Sequence, residues 1–355
     1  FSHLSFRNTM NDKPDLMLSC IFLFCLTLDI VRGKDVVDFP FGEDEDNESR
    51  TGEGHSLPYC GTSVVQNLKA DRIVGGLDAD PYEFPWMAKL YYTGSLRCAA
   101  ALISDRYMVT AAHCVTSYKK GTPLSPKRKR GNVRNFRVMR ADRFVVALGS
   151  HSTEGSTLSS RRVMKLTIHP KYDIFASGNL EIGSFLIQTN DIAILKFEPV
   201  IFSSKIVPVC LPTQGVRVKN NMKLILAGWG STSSDDLTGD IKPELPRVLQ
   251  KTRLKKFSFK ECQENENVGV HFAKINQLTE REVFCLIGND TDSCQGDSGG
   301  PVVEKTYHGY RLVGLVSWGI GCNQESYPAA YTQVSSYMDF LISHTKDGKF
   351  LPYKH

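Results

Sequence analysis

Thr291-Asp292-Ser293-Cys294-Gln295-Gly296-Asp297-Ser298-Gly299-Gly300-Pro301 sets one serine between an acid and two glycines. Without a Cβ at 296, 299 and 300, the main chain can enter conformations closed to other residues and lie close against a bound group. Two backbone N–H groups of such a turn, aimed at one point, stabilise an oxyanion. Taken alone, Gly-Asp-Ser-Gly fits an ordinary glycine-rich loop as well as a nucleophilic serine. The nucleophile reading needs a base within reach of Ser298 and a third group that orients the base, and the rest of the chain offers both.

Apolar, alternating runs over Leu96–Ile103 and Tyr107–Thr110 end in Thr110-Ala111-Ala112-His113-Cys114. A lone histidine is most often structural, but an imidazole with its pKa near 6.5 is also the side chain suited to take and return a proton at neutral pH. Asn190-Asp191-Ile192-Ala193-Ile194-Leu195 sets an acid before an apolar run, a pattern shared with simple turns and caps. Asp71-Arg72-Ile73-Val74-Gly75-Gly76 puts a basic residue before a strand-like start.

These strings together resemble the trypsin-like (chymotrypsin-fold) serine proteases, over about Arg72 to His344 with Cys60 as an outlier. The resemblance implies an all-β fold of two antiparallel six-stranded barrels with a C-terminal helix and the site between them. It implies a triad of Ser298, His113 and Asp191, with an oxyanion hole at Gly296 and Ser298. Cutting after Arg72 would free an ammonium on Ile73 to pair with Asp297, so the uncut chain is expected to be nearly inactive. The family pattern pairs Cys98 with Cys114, Cys60 with Cys210, Cys262 with Cys285 and Cys294 with Cys322. The Cys60 link would hold the cut pro-piece on the body. Where the family usually has Gly-Gly-Ser, this chain has Ala99-Ala100-Ala101, which adds methyl groups near the nucleophile. A further family bridge is missing at both ends, with Leu224 and Glu304 in its places.

Specificity in that reading comes from Asp292, six residues before Ser298, since an acid at the base of a slot is satisfied by a substrate Arg or Lys. Ser293 adds a hydroxyl, Ser317-Trp318-Gly319 forms the wall with Gly319 leaving the entrance open, and Ala329 trims the slot. Pro328 argues against a sodium site. Ser150 to Gly155 falls where some relatives hold calcium, but Glu154 is its one carboxylate, so no metal and no other cofactor is expected. About ten extra residues between Tyr172 and Asn190 are expected to overhang the cleft and narrow selection.

The chain has 355 residues, a net charge of +5 and ten cysteines. The charge is too mild to indicate a nucleic-acid partner. Cys20 and Cys25 lie in the apolar run Leu16 to Leu28, of about 13 residues, too short for a stable membrane span and suited to a signal peptide. The other eight cysteines, an even number, point to disulfides and an oxidising, extracellular compartment. The expected divisions are a leader over 1–33, an acidic pro-segment over 34–72 tethered by Cys60, a protease domain over 73–349 and a tail over 350–355, with Lys346 onward frayed. Val334, Met338 and Leu341 have helical spacing, with Ser335 and Ser336 as candidate caps. Asn47 and Asn289 open glycosylation sequons.

The resulting expectation is a secreted zymogen of an endopeptidase cutting protein substrates after Arg or Lys, in a regulatory cascade. An activating trypsin-like protease and protein inhibitors are its expected partners. The basic run Lys127 to Arg130 fits either a solvated loop or contact with a polyanion. The rival readings are a binding protein whose catalysis has lapsed and a digestive enzyme.

Overall fold

The computed structural model describes residues 59–65, 77–118, 136–153, 157–177, 185–231, 245–269, 278–288, 297–319 and 327–354. Twelve of its strands build two closed antiparallel barrels. The first holds β1 (Met87–Tyr92), β2 (Ser95–Leu102), β3 (Tyr107–Thr110), β4 (Phe144–Leu148), β5 (Ser159–Ile168) and β6 (Ala193–Phe197). The second holds β7 (Lys223–Gly228), β8 (Gln250–Phe257), β9 (Val283–Ile287), β10 (Pro301–Thr306), β11 (Gly309–Trp318) and β12 (Ala329–Gln333). Around the first barrel the order is β1-β2-β3-β6-β5-β4, and around the second β7-β8-β9-β12-β11-β10. The two halves are wired alike, as the resemblance implies, and closure leaves neither with an open edge.

Short alternating or fully apolar runs explain the strands. Ala99, Ala100, Ala101 and Leu102 of β2, like Met108 and Val109 of β3, are buried, so both faces of these strands are covered, one by the barrel interior and the other by chain packed outside it. Gly94 turns the β1–β2 hairpin with φ +87° in open space. Leu224 is buried on β7, and Glu304 pairs with Arg311 across β10 and β11, so neither place of the missing bridge is left unsatisfied.

Described segments that flank the barrels cross over between them. Leu77 and Asp78, ahead of the first barrel, pair with Lys251 and Gln250 of β8 in the second. Beyond the second barrel, a 3-10 turn, Val334–Tyr337, leads into α2 (Met338–His344); α1 is Phe259–Glu264. Tyr337 and Phe340 pack their rings edge-on against His169, which follows β5. One buried cluster runs from Trp86 and Leu102 through Trp229 and Leu315 to Met338 and Leu341.

Two expectations about this end are corrected. Neither serine caps the helix: Ser335 Oγ is buried without a partner, Ser336 Oγ donates to the Arg281 carbonyl, and α2 starts from the preceding 3-10 turn with no side-chain cap. Nor is the chain frayed from Lys346 to Lys354. Asp347 accepts from Tyr107 and Lys196, and the Asp105 and Lys349 backbones are linked. Cys60 N–H donates to the Pro352 carbonyl, and Tyr353 meets Thr306. The polar composition of this stretch reads as solvated, but Asp347 has partners on β3 and β6 and the backbone is tied at Lys349 and Pro352.

Disulfides join Cys60 to Cys210, Cys98 to Cys114 and Cys262 to Cys285; Cys294 and Cys322 lie outside the described residues. The segment at Cys60 is also held by its backbone, for Gly61 N–H donates to Pro208 and Gly61 C=O accepts from Tyr310 N–H. Gly61 has φ +65°, and a Cβ there would lie 2.1 Å from the Tyr310 carbonyl oxygen, so the position needs glycine.

Candidate active site

His113 occupies a 3-10 turn, Ala112–Val115, that leaves the end of β3. Its N–H donates to Asp191 Oδ1 at 2.9 Å, and its Nδ1 stands 2.7 Å from Asp191 Oδ2. One carboxylate thus grips both the backbone and the ring. With the Nδ1 proton shared toward Asp191, Nε2 keeps its lone pair on the side away from the carboxylate. The imidazole is 21% exposed and Asp191 is 2% exposed, so the acid is sheltered while the ring reaches solvent.

Asp191 is buried at the seam of the barrels and fully engaged. Ser317 Oγ on β11 donates to Oδ2 at 2.6 Å, and Thr332 Oγ1 on β12 donates to the Asp191 carbonyl at 2.9 Å. A buried carboxylate is tolerated only with such donors. Ser317, expected in the substrate wall, therefore turns its side chain to the acid.

Ser298 is half-buried, and its carbonyl accepts from Ala99 N–H at 2.9 Å. The next residue, Gly299, has φ +73°, and a Cβ there would lie 2.1 Å from Thr110 Oγ1 and 2.9 Å from Ala111 N. The serine loop is thus pressed against the strand end from which the His113 turn departs. The Ala99 methyl faces this loop, 3.3 Å from where a Cβ on Gly300 would stand.

Before the serine, Asp297 is buried and seated on the Gly228-Trp229-Gly230 turn. Gly230 N–H donates to its Oδ1 at 2.8 Å. A Cβ on Gly228 would fall 1.7 Å from Oδ1, and one on Gly230 2.3 Å from Oδ2. The two glycines make the seat, because any side chain there would occupy the carboxylate's space.

Of the wall residues, Trp318 is buried and donates through Nε1 to the Gln188 carbonyl at 3.2 Å. Gly319 faces Ala329, with 3.1 Å from a built Cβ to the alanine methyl. Gln188 belongs to Phe185–Thr189, which pairs antiparallel with Asp173–Ser177, and Ile187 of the same strand packs in one cluster with Trp318. Arg72, Ile73, Asp292, Ser293, Gly296, Lys127 to Arg130, Glu154 and both sequons lie outside the described residues.

One contributor was not signalled by any motif. Arg97 on β2 donates from Nε to the Cys114 carbonyl at 2.6 Å and from Nη2 to Thr116 at 3.0 Å and His113 at 3.4 Å. Its cation caps the carbonyl end of the His113 turn, although burial lowers its affinity for a proton. Behind the site, burial pushes the Tyr172 hydroxyl far up, and it meets Thr116 Oγ1 as a neutral group. Among the described residues Cys98, His113 and Cys114 lie close enough together for a metal, but both sulfurs are in a disulfide, which leaves one imidazole.

A family model described as Trypsin matches residues 73–341. Venom serine protease 34 of Apis mellifera is 33% identical over 289 residues, 79% of this chain and 60% of that protein. Phenoloxidase-activating factor 3 of Holotrichia diomphalia is 31% identical over 310 residues, 81% of this chain and 80% of that protein. Clotting factor G beta subunit of Tachypleus tridentatus is 29% identical over 303 residues, 82% of this chain and 84% of that protein.

Proposed function

The chain belongs to the trypsin family of serine proteases, and from that premise we propose that it is a secreted zymogen, activated by cleavage after Arg72, that cuts proteins after Arg or Lys in a regulatory cascade. The observation that carries the reading is the double grip of Asp191 on His113, backbone and ring, beside the loop of Ser298. The backbone bond would serve any residue at 113, whereas the Nδ1 contact with Oδ2 orients an imidazole.

In this mechanism Ser298 Oγ attacks the acyl carbon while its proton passes to His113 Nε2. Asp191 holds the ring and stabilises the imidazolium. The carbonyl electrons move onto oxygen, which the N–H groups of Gly296 and Ser298 receive. Collapse expels the amine, which takes the proton from His113. Water then attacks the acyl-serine by the same route, returning Ser298 and releasing the acid.

Two further parts support regulation. Asp297, seated on Gly228 and Gly230, is the acid with which the Ile73 ammonium would pair after cleavage, and a buried charge pair of this kind is costly to break. Asp292 would then receive the substrate's cation, with Ser293 beside it and Gly319 and Ala329 shaping the mouth. The Cys60–Cys210 bridge keeps the cut pro-piece attached. The names of the Holotrichia and Tachypleus relatives, an activating factor and a clotting factor, favour a cascade over digestion. Protein inhibitors, and a polyanion at Lys127 to Arg130, complete the expected partners.

The test uses the full chain, uncut and cut after Arg72, with a fluorophosphonate probe and a peptide library. Labelling of the cut form at Ser298, absent in Ser298→Ala and weak in Arg72→Gln, is expected, with cleavage after Arg and Lys. A cut form that neither labels nor cleaves refutes catalysis, and equal labelling of the uncut form refutes the zymogen.

A further inference from the structure

Lys89, on β1, is 1% exposed, an unusual place for an ammonium. Its Nζ donates to Ser150 Oγ at 2.9 Å, the Ser152 carbonyl at 2.6 Å and the Thr153 carbonyl at 3.2 Å. Three donors meet three oxygens, so the charged head is fully satisfied. On its other side the ammonium lies 4.9 Å from the ring centre of Trp229. Burial lowers its pKa to about 8.

Lys89 and the 150–153 segment belong to the first barrel, and Trp229 to the second. The same segment is stitched to the second barrel by its backbone. Trp229 Nε1 donates to the His151 carbonyl at 3.1 Å, as does Leu249 N–H at 2.8 Å, and Thr153 N–H donates to the Arg247 carbonyl at 2.8 Å. Trp229 is flanked by Gly228 and Gly230, the two residues that seat Asp297.

We propose that Lys89 is a positioning residue: its buried ammonium acts as an internal cation that gathers the 150–153 oxygens against Trp229 and so holds the seat of Asp297, next to Ser298. The catalytic consequence rests on the function proposed above, whereas the mechanical link does not. A neutral side chain leaves the Ser150 hydroxyl and the Ser152 carbonyl to each other, but sets the Thr153 carbonyl against an apolar stem, and the segment must open to hydrate it. Trp229 then loses its partner, and the turn carrying Gly230 N–H loosens.

The experiment compares Lys89→Met, Lys89→Arg and Trp229→Phe with wild type, in the full chain cut after Arg72. Hydrogen exchange reads the Gly230 amide without reference to activity. Lys89→Met is expected to speed that exchange at least about tenfold, with the Ala100 amide of β2 unchanged; Lys89→Arg restores part of the protection. With an Arg ester substrate, kcat should fall at least about tenfold in Lys89→Met while KM moves less than about twofold, as for a displaced catalytic geometry. If Lys89→Met does not fold, Trp229→Phe, which removes the Nε1 bond and keeps a ring, should show the same changes at smaller size. Unchanged Gly230 protection in the folded variants overturns the proposal, whether or not any substrate is cut. A wild type that hydrolyses nothing yet shows the exchange effect refutes the function and leaves the link standing.

Discussion

Replacing Gly228 by alanine tests whether the seat of Asp297 governs activity. The new Cβ would stand 1.7 Å from Asp297 Oδ1, whereas ordinary contact begins at 3.4 Å, so the oxygen must retreat by about 1.7 Å. That movement breaks the 2.8 Å bond from Gly230 N–H. Asp297 immediately precedes Ser298, and misplacing a reacting group by about 1 Å costs about 100-fold in rate, or about 2.7 kcal/mol of barrier. Gly228→Ala should therefore lose about 100-fold in kcat/KM on an Arg peptide amide, and active-site titration should count fewer competent molecules. Gly94→Ala serves as the comparison, since that glycine has a left-handed backbone, φ +87°, but nothing lies within 4 Å. It should lose about 1 to 2 kcal/mol of stability with kcat/KM unchanged. A folded Gly228→Ala enzyme within about threefold of wild type would show that the carboxylate's place does not matter.

Removing the Arg97 guanidinium in Arg97→Ala should lower stability by about 1 kcal/mol, because the group is partly exposed, and reduce kcat; thermal unfolding and steady-state kinetics read the two. Ser317→Ala leaves Asp191 with His113 alone as side-chain donor and should cost about fivefold in kcat, the equivalent of about 1 kcal/mol; an unchanged kcat would make the 2.6 Å bond incidental. Burial lowers the His169 pKa to about 4, with the Lys171 and His344 charges adding to it. Below the unfolded value near 6.5 the unfolded chain binds a proton that the folded chain refuses, so stability should fall as pH drops from 6.5 to 4. His169→Phe should flatten that part of the Tm profile. Gly61→Ala should loosen the segment around Cys60, detected as faster proteolysis there with the disulfide intact.

The pairing of His113 with Asp191 was legible because each sits in a contiguous string whose neighbours carry the information. The barrels were legible through the same strings, since alternation gives strands but not their circular order. What could not be read is what depends on distant partners. Lys89 occupies a polar place in Met87-Ala88-Lys89-Leu90-Tyr91-Tyr92 and reads as solvent-facing, yet Ser150 to Thr153 close over it. Arg97 reads as an exposed end of β2, although its head reaches the carbonyls of the His113 turn. Ser317 gave no sign in its sequence neighbours that its hydroxyl turns to the Asp191 carboxylate, which lies just ahead of β6. The stretch from Lys346 has the composition of a solvated end, and only Tyr107, Lys196 and Asp105 make it otherwise.

Both barrels share one buried cluster, from Trp86 and Leu102 through Trp229 and Leu315 to Met338 and Leu341, and α2 with the residues after it packs on the first. Neither half can come undone without exposing apolar surface in its twin. Melting of both is therefore expected as a single transition, checked by equal calorimetric and van't Hoff enthalpies.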